Sequence, residues 1–193
     1  MATNTNGTDS RVQVQLLTTE ENVKMLAVLD DNIAGKYLRA AMLEAQEVGL
    51  RGILGSALLG ALKERASART LTGAYAELVN SYAVFYLAYA TKAQLVPKVA
   101  YKVGNAGVLK HTASDEDRMG AASAGEIEAE VSRAQAQADF HAYRMQGWLL
   151  EHASELPELT QRDSDRIRAC LRSAASCGIW LGGARGDMYA EYE

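Results

Sequence analysis

Proline is nearly missing from this chain: Pro97 and Pro157 are its only two in 193 residues. Proline removes a backbone donor and blocks helix interiors, so its scarcity leaves long stretches open to helix. Cysteine is as scarce, with Cys170 and Cys177 alone. Seven positions apart on one helix, they would stand roughly 10 Å apart along the axis, beyond disulfide reach, and they read as buried thiols. No CxxC pair and no Cys/His cluster at ligand spacing occurs, which argues against structural zinc. A basic excess is lacking too. The formal net charge is −4 and the pI near 5.5, which disfavours a duplex gripped through many phosphates but allows nucleic acid to pass nearby. No window approaches the roughly eighteen apolar residues of a membrane span. The opening MATNTNGTDS has no basic region before an apolar run, so the expectation is a soluble chain made in a cytosol without a signal peptide.

What is present is the composition of one soluble domain, 48% apolar and 23% charged, rich in Ala, Leu, Glu, Gln and Arg. The expected fold is all-α: a bundle of about five to six helices with a long central loop and extended arms at both ends. Residues 1–15 show no sustained periodicity and read as a flexible N-terminal arm, 16–178 as the helical body, and 179–193 as a C-terminal tail. Thr18 and Glu21 form a capping-box pair that starts a helix through Val23, Leu26 and Leu29. A second helix starts at Asp31 or Asn32, with Ile33, Tyr37, Leu38, Ala41, Met42, Leu43 and Val48 as its apolar stripe, and ends at the ILG of Ile53 to Gly55. Gly55 reads as a C′ glycine and Ser56 as the N-cap of a shorter helix burying Leu58, Leu59 and Leu62.

From Thr72, the spacing of Tyr75, Leu78, Val79, Tyr82, Phe85, Tyr86 and Tyr89 predicts at least five helical turns, which Pro97 should kink or end. Residues 99–122 then break the pattern with Gly, Ala, Ser and acid. The glycines around Asn105 predict a tight turn, with a possible β-hairpin joining Val99–Val103 to Val108–His111. Ser123 and Glu126 form a second capping box for a helix through Ile127, Val131, Ala134, Ala138, Met145, Trp148 and Leu149 to about His152. After Pro157 a last helix, capped by Asp163 or Ser164, buries Ile167, Cys170, Leu171 and Ala174 and ends near Gly178.

Chemistry is hard to find. His141 and His152, eleven apart on one helix, lie roughly 16 Å from each other and cannot share an ion. With His111 they read as surface or packing histidines. No Glu-x-x-His pair supports a di-iron bundle, the Gly104–Gly107 turn lacks the Lys-Ser/Thr of a phosphate loop, and Ser114 to Asp117 lack calcium-loop spacing. The RGD at Arg185 to Asp187 reads as chance. No catalytic residue, cofactor or metal is expected, and the chain is not read as an enzyme.

The irregular parts point elsewhere. A tail carrying Trp180, Leu181, Tyr189 and Tyr192 invites another surface to cover it, since aromatic anchors carry much of the energy of interfaces; the alternative is that it folds back on its own body. The ILG corner, the Tyr-rich helix leading into NAGV at Asn105 to Val108, the long helix into EHASELPEL at Glu151 to Leu159, and the late GIWLGG resemble, in order and spacing, the head–tail connector (adaptor, head completion) proteins of phages and prophages, over roughly Leu16 to Gly183. The resemblance implies a virion protein at the head–tail interface, made in the host's cytoplasm. It implies a homo-oligomeric ring, commonly of twelve copies, beneath the portal protein and next to tail or collar proteins, with DNA passing through its bore without sequence-specific binding. It further implies that Ile179, Trp180, Leu181, Tyr189 and Tyr192 dock on the portal. The loop with Tyr101, Asn105, Gly107, Asp115, Glu116 and Asp117 would face the lumen or a neighbouring subunit, its acid repelling phosphate. The mixed charge of Glu128, Glu130, Arg133, Asp139 and Arg144 suits contact between copies and equally suits a solvated helix face. The competing reading is a free-standing helical interaction module of the cytosol with no virion role; an enzyme using His141 or His152 is the third.

Overall fold

The computed structural model describes residues 15–104, 107–110 and 122–176, and for 102–110 and 173–176 the backbone alone. Six helices and one β-hairpin are found among them. Helix α1 is Glu20–Ala27. Helix α2 spans residues 35–54 and has a six-residue π-helical stretch, Ala45–Leu50, within it. Helix α3 is Ser56–Ser67. Helix α4 spans residues 73–100 with a second π-helical stretch, Leu78–Ala83. Strands β1, Tyr101–Gly104, and β2, Gly107–Lys110, pair antiparallel with Tyr101 opposite Lys110 and Gly104 opposite Gly107. Helix α5 is Ala124–Glu151. A short turn, Ala153–Glu155, leads to α6, Gln161–Ser176. The all-α expectation holds, and the hairpin falls where the glycines put it.

Helix starts follow local side-chain chemistry. Ser123 caps α5 with the full capping box: its hydroxyl accepts from Glu126 N–H at 3.2 Å while the Glu126 carboxylate accepts from Ser123 N–H at 2.7 Å. At α1 the cap is Thr19, which accepts from Asn22 N–H, and not Thr18. Asp30 accepts from Asn32 N–H at 2.7 Å, closing a turn, so α2 starts at Gly35 with no side-chain cap instead of at Asp31 or Asn32. Thr160 is the acceptor at the start of α6, from Asp163 N–H, which moves that start ahead of Asp163 and Ser164. Gly55 takes φ +84°, and a Cβ there would lie 3.0 Å from the Asp163 carboxylate. Both the turn and the approach of α6 therefore require glycine.

Pro97 does not end α4, which continues to Ala100. Its ring removes one donor, its own N–H, while its carbonyl still accepts from Tyr101 N–H. Lys98 also ties the last turn to Glu44 at 2.6 Å. Val48 departs from the predicted stripe: it is 70% exposed, because the wider π turn resets the face that a 3.6-residue period would bury. Cys170, expected inside, is exposed; on α6 the buried positions are Ser164 and Ile167. Cys177 and Gly178 lie outside the described residues.

Two cores result. The larger runs through the second half of α2, with Leu50 and Leu54, and through α3, α4, α5 and α6, with Leu58, Leu62, Leu87, Met145, Leu149 and Ile167. The smaller joins α1 and α2 to the far end of α4 through Val23, Leu38, Ala41, Met42 and Leu95. Helices α4 and α5 pack along each other, and Lys92 on the first meets Glu130 on the second at 2.7 Å.

Candidate assembly surfaces

The hairpin grows directly out of α4. Tyr101, half-buried, adopts extended φ and ψ and still donates its N–H to the Pro97 carbonyl, so the helix end and the strand start share one hydrogen bond. Gly107 opens β2. Of the loop residues singled out above, Asn105, Asp115, Glu116 and Asp117 lie outside the described residues, as do His111 and all five tail positions, Ile179, Trp180, Leu181, Tyr189 and Tyr192.

The histidines belong to packing. His141 stacks on Phe85 and on Tyr89, with ring centres 5.5 and 5.4 Å away, and meets the edge of Phe140. Burial, with Arg144 nearby, pulls its pKa down. His152 stacks on Trp148 at 4.2 Å, and Trp148 donates its indole N–H to Glu77 at 3.2 Å. These rings stitch α5 to α4. A second polar clasp holds the turn after α5: Tyr75 donates to Glu158 at 2.5 Å, Arg65 lies 3.5 Å from the same carboxylate, and the Arg65 guanidinium covers the Tyr75 ring. The Tyr75 hydrogen bond holds the Glu158 carboxyl below its usual range. Among the described residues no group of three His, Cys, Asp or Glu could hold a metal ion, and no helix is long and apolar enough to cross a membrane.

The mixed-charge face of α5 is partly used up inside the chain. Glu130 pairs with Lys92 and Arg133, Asp139 accepts from Gln135, and Arg144 lies over Tyr82 and Phe140.

Sequence reasoning missed two features of the flank formed by α1 and α2. The first is Gln46, 1% exposed in the π stretch. Its amide accepts from Leu17 N–H at 2.9 Å and donates to the Gln15 carbonyl at 2.9 Å. It thus pairs like a strand with the segment ahead of α1, satisfying backbone groups that burial would otherwise strand. A glutamine inside an apolar period was the available signal. The second is an open groove of about 580 Å³ lined by Glu21, Lys24, Met25, Val28, Leu29 and Asp31. Met25 is 69% and Val28 85% exposed. Val28 sits at φ 51°, ψ 63° as the left-handed cap of α1, a place where glycine or asparagine is usual and a β-branched residue is an outlier.

The fold and these surfaces define an all-α protein, with six helices among the described residues, whose three most exposed large apolar side chains, Met25, Val28 and Val48, lie at the end of α1 and on α2. The chain belongs to a family of unknown function, DUF6712, whose model matches residues 50–168. That span holds most of the larger core, with α3 to α5 and the first half of α6, and omits α1 and most of α2. No curated protein and no solved structure matches the chain.

Proposed function

We propose that this chain is a structural subunit of a tailed-phage virion: a head–tail connector that forms a ring, dodecameric by analogy with the proteins it resembles, between the portal protein and the tail. The observation that carries the reading is where the family-like segments fall. ILG is the glycine-turned corner between α2 and α3, the Gly107 and Val108 of NAGV open β2, and EHASELPEL spans the end of α5, the following turn and the clasp at Glu158. These described segments are junctions between elements, and order and spacing are what the resemblance consists of; GIWLGG lies outside the described residues.

A ring of identical subunits needs two different, complementary faces on each copy, and exposed apolar side chains on α1 and on α2 offer material for both. The tail from Ile179 to Tyr192 is assigned to the portal, the loop to the lumen or the adjoining subunit, and DNA to the bore without a base-specific contact. The chain is read as non-enzymatic, with no cofactor.

The test is electron microscopy of phage particles carrying a tagged copy. Label at the tail vertex of the capsid is the expected result. Label absent from particles, with the protein free in the host cytoplasm, would replace this reading with the free-standing interaction module.

A further inference from the structure

Two apolar knobs protrude from the flank, and their charged surroundings are opposite in sign. Glu21 and Asp31 line the groove with Met25 and Val28, with Asp30 exposed next to Asp31 in the chain, against one ammonium, Lys24. That ammonium lies 2.9 Å from the Asp31 carbonyl and 3.9 Å from its carboxylate, and the Asp31 side chain is still 97% exposed. Around Val48 on α2 the balance reverses: one carboxylate, Glu47, is shared between two cations, Arg51 and Lys63. Arg51 keeps half of its side chain exposed. Beside it Gly52 faces open space, leaving a shallow place for an incoming side chain.

Val28 adds an argument from strain. Ending α1 in the left-handed region is a backbone requirement that glycine meets without cost, whereas valine there is strained and leaves its methyls in water. Among the described residues nothing gains from that choice. A contact outside the chain does.

We propose that the α1 knob of one copy docks on the Val48 knob of a second copy of this chain, Met25 and Val28 against Val48 and Gly52, with Asp31 and Glu21 facing Arg51. Resting on the ring reading, this names the two faces that meet. The alternative pairing of α1 on α1 brings carboxylates against carboxylates and is disfavoured by charge. Pairing unlike faces is heterologous and propagates from copy to copy until it closes.

Cross-linking tests it. Val28→Cys and Val48→Cys are made separately in a Cys170→Ser/Cys177→Ser background, mixed and oxidised. A covalent dimer in the mixture, absent from either variant alone, is the expected result, and the double variant should give a ladder of larger covalent species. Cross-linking of Val28→Cys with itself, or none in the mixture, overturns the proposal. A mixture that cross-links while the double variant stops at dimer upholds the contact but removes the ring. Val28→Gly supplies the control for folding: its thermal midpoint should rise while self-association weakens about tenfold. Unchanged association in that variant also overturns the proposal.

Discussion

Leu87 and Leu38 are both fully buried leucines, yet they hold different things together. Leu87 lies in the larger core, which draws on five helices, α2 to α6, and lies mostly within the span matched by the family model. Leu38 lies in the smaller core, where five buried residues attach α1 and α2 to one end of α4. The first region keeps its polar groups paired inward, as at Trp148–Glu77 and Tyr75–Glu158. The second carries Met25 and Val28 in water, and Val48 stands exposed further along α2, between Ala45 and Leu50 of the larger core. On the docking proposed above, the larger region specifies the fold and the flank of α1 and α2 meets neighbours.

The same deletion made in both regions puts that division at risk. Leu87→Ala should cost about 3 kcal/mol in global unfolding by urea, since a densely packed site cannot collapse around the void. Leu38→Ala should cost about 2 kcal/mol, and the loss should surface as faster amide exchange in α1 and the first half of α2, with α5 unchanged. Equal losses with uniform exchange would show one cooperative unit and end the comparison.

Where the regions join, a single close contact sharpens the picture. A Cβ on Gly49, in the π stretch of α2, would lie 2.2 Å from the Tyr86 hydroxyl on α4. Gly49→Ala should therefore lose about 1–3 kcal/mol through overpacking, and adding Tyr86→Phe should restore most of it. Tyr86 is deeply buried and its phenol is pushed up to about 12 by burial, with Asp139 adding to the shift, so no ionised form complicates the measurement near neutrality. A double variant no more stable than Gly49→Ala would locate the damage in helix geometry instead.

That contact also marks the boundary of what could be read in advance. Regular helices were legible because apolar spacing and caps are local: Ser123 with Glu126, and the run from Tyr75 to Tyr89, sit where their patterns put them. The π stretches were not, because an extra residue per turn has no composition of its own and appears only once Gly49 meets Tyr86 and Gln46 meets the backbone of Gln15 and Leu17. Pro97 does not end α4 because the ring removes a single donor, its own, and the turn after it is held by Tyr101 N–H on the Pro97 carbonyl and by Lys98 on Glu44. Of the candidate site, Tyr101 and Gly107 were legible as turn flanks, whereas the Val28 knob was hidden by its ordinary residue type. A valine looks like core until its backbone is seen to be left-handed.

The smallest effect concerns His141, a polar ring that the larger core keeps half-buried against Phe85 and Tyr89. Its pKa in the folded chain is depressed below 6.5 by burial and by Arg144. As pH falls through 6.5 the unfolded chain takes up a proton that the native chain does not, so stability declines until the native value is passed. His141→Phe keeps an apolar ring in the stack and should remove that part of the pH slope. Glu47, Glu130 and Glu158, all lowered by hydrogen-bonded partners, lose their contribution only at more acid pH, below 4.5, and do not overlap the window. Unfolding curves of the two proteins between pH 7 and 5 should therefore diverge at the acid end. Parallel curves would mean that the imidazole is already solvated where it stands, and that the α4–α5 contact is looser than the Leu87 core beneath it.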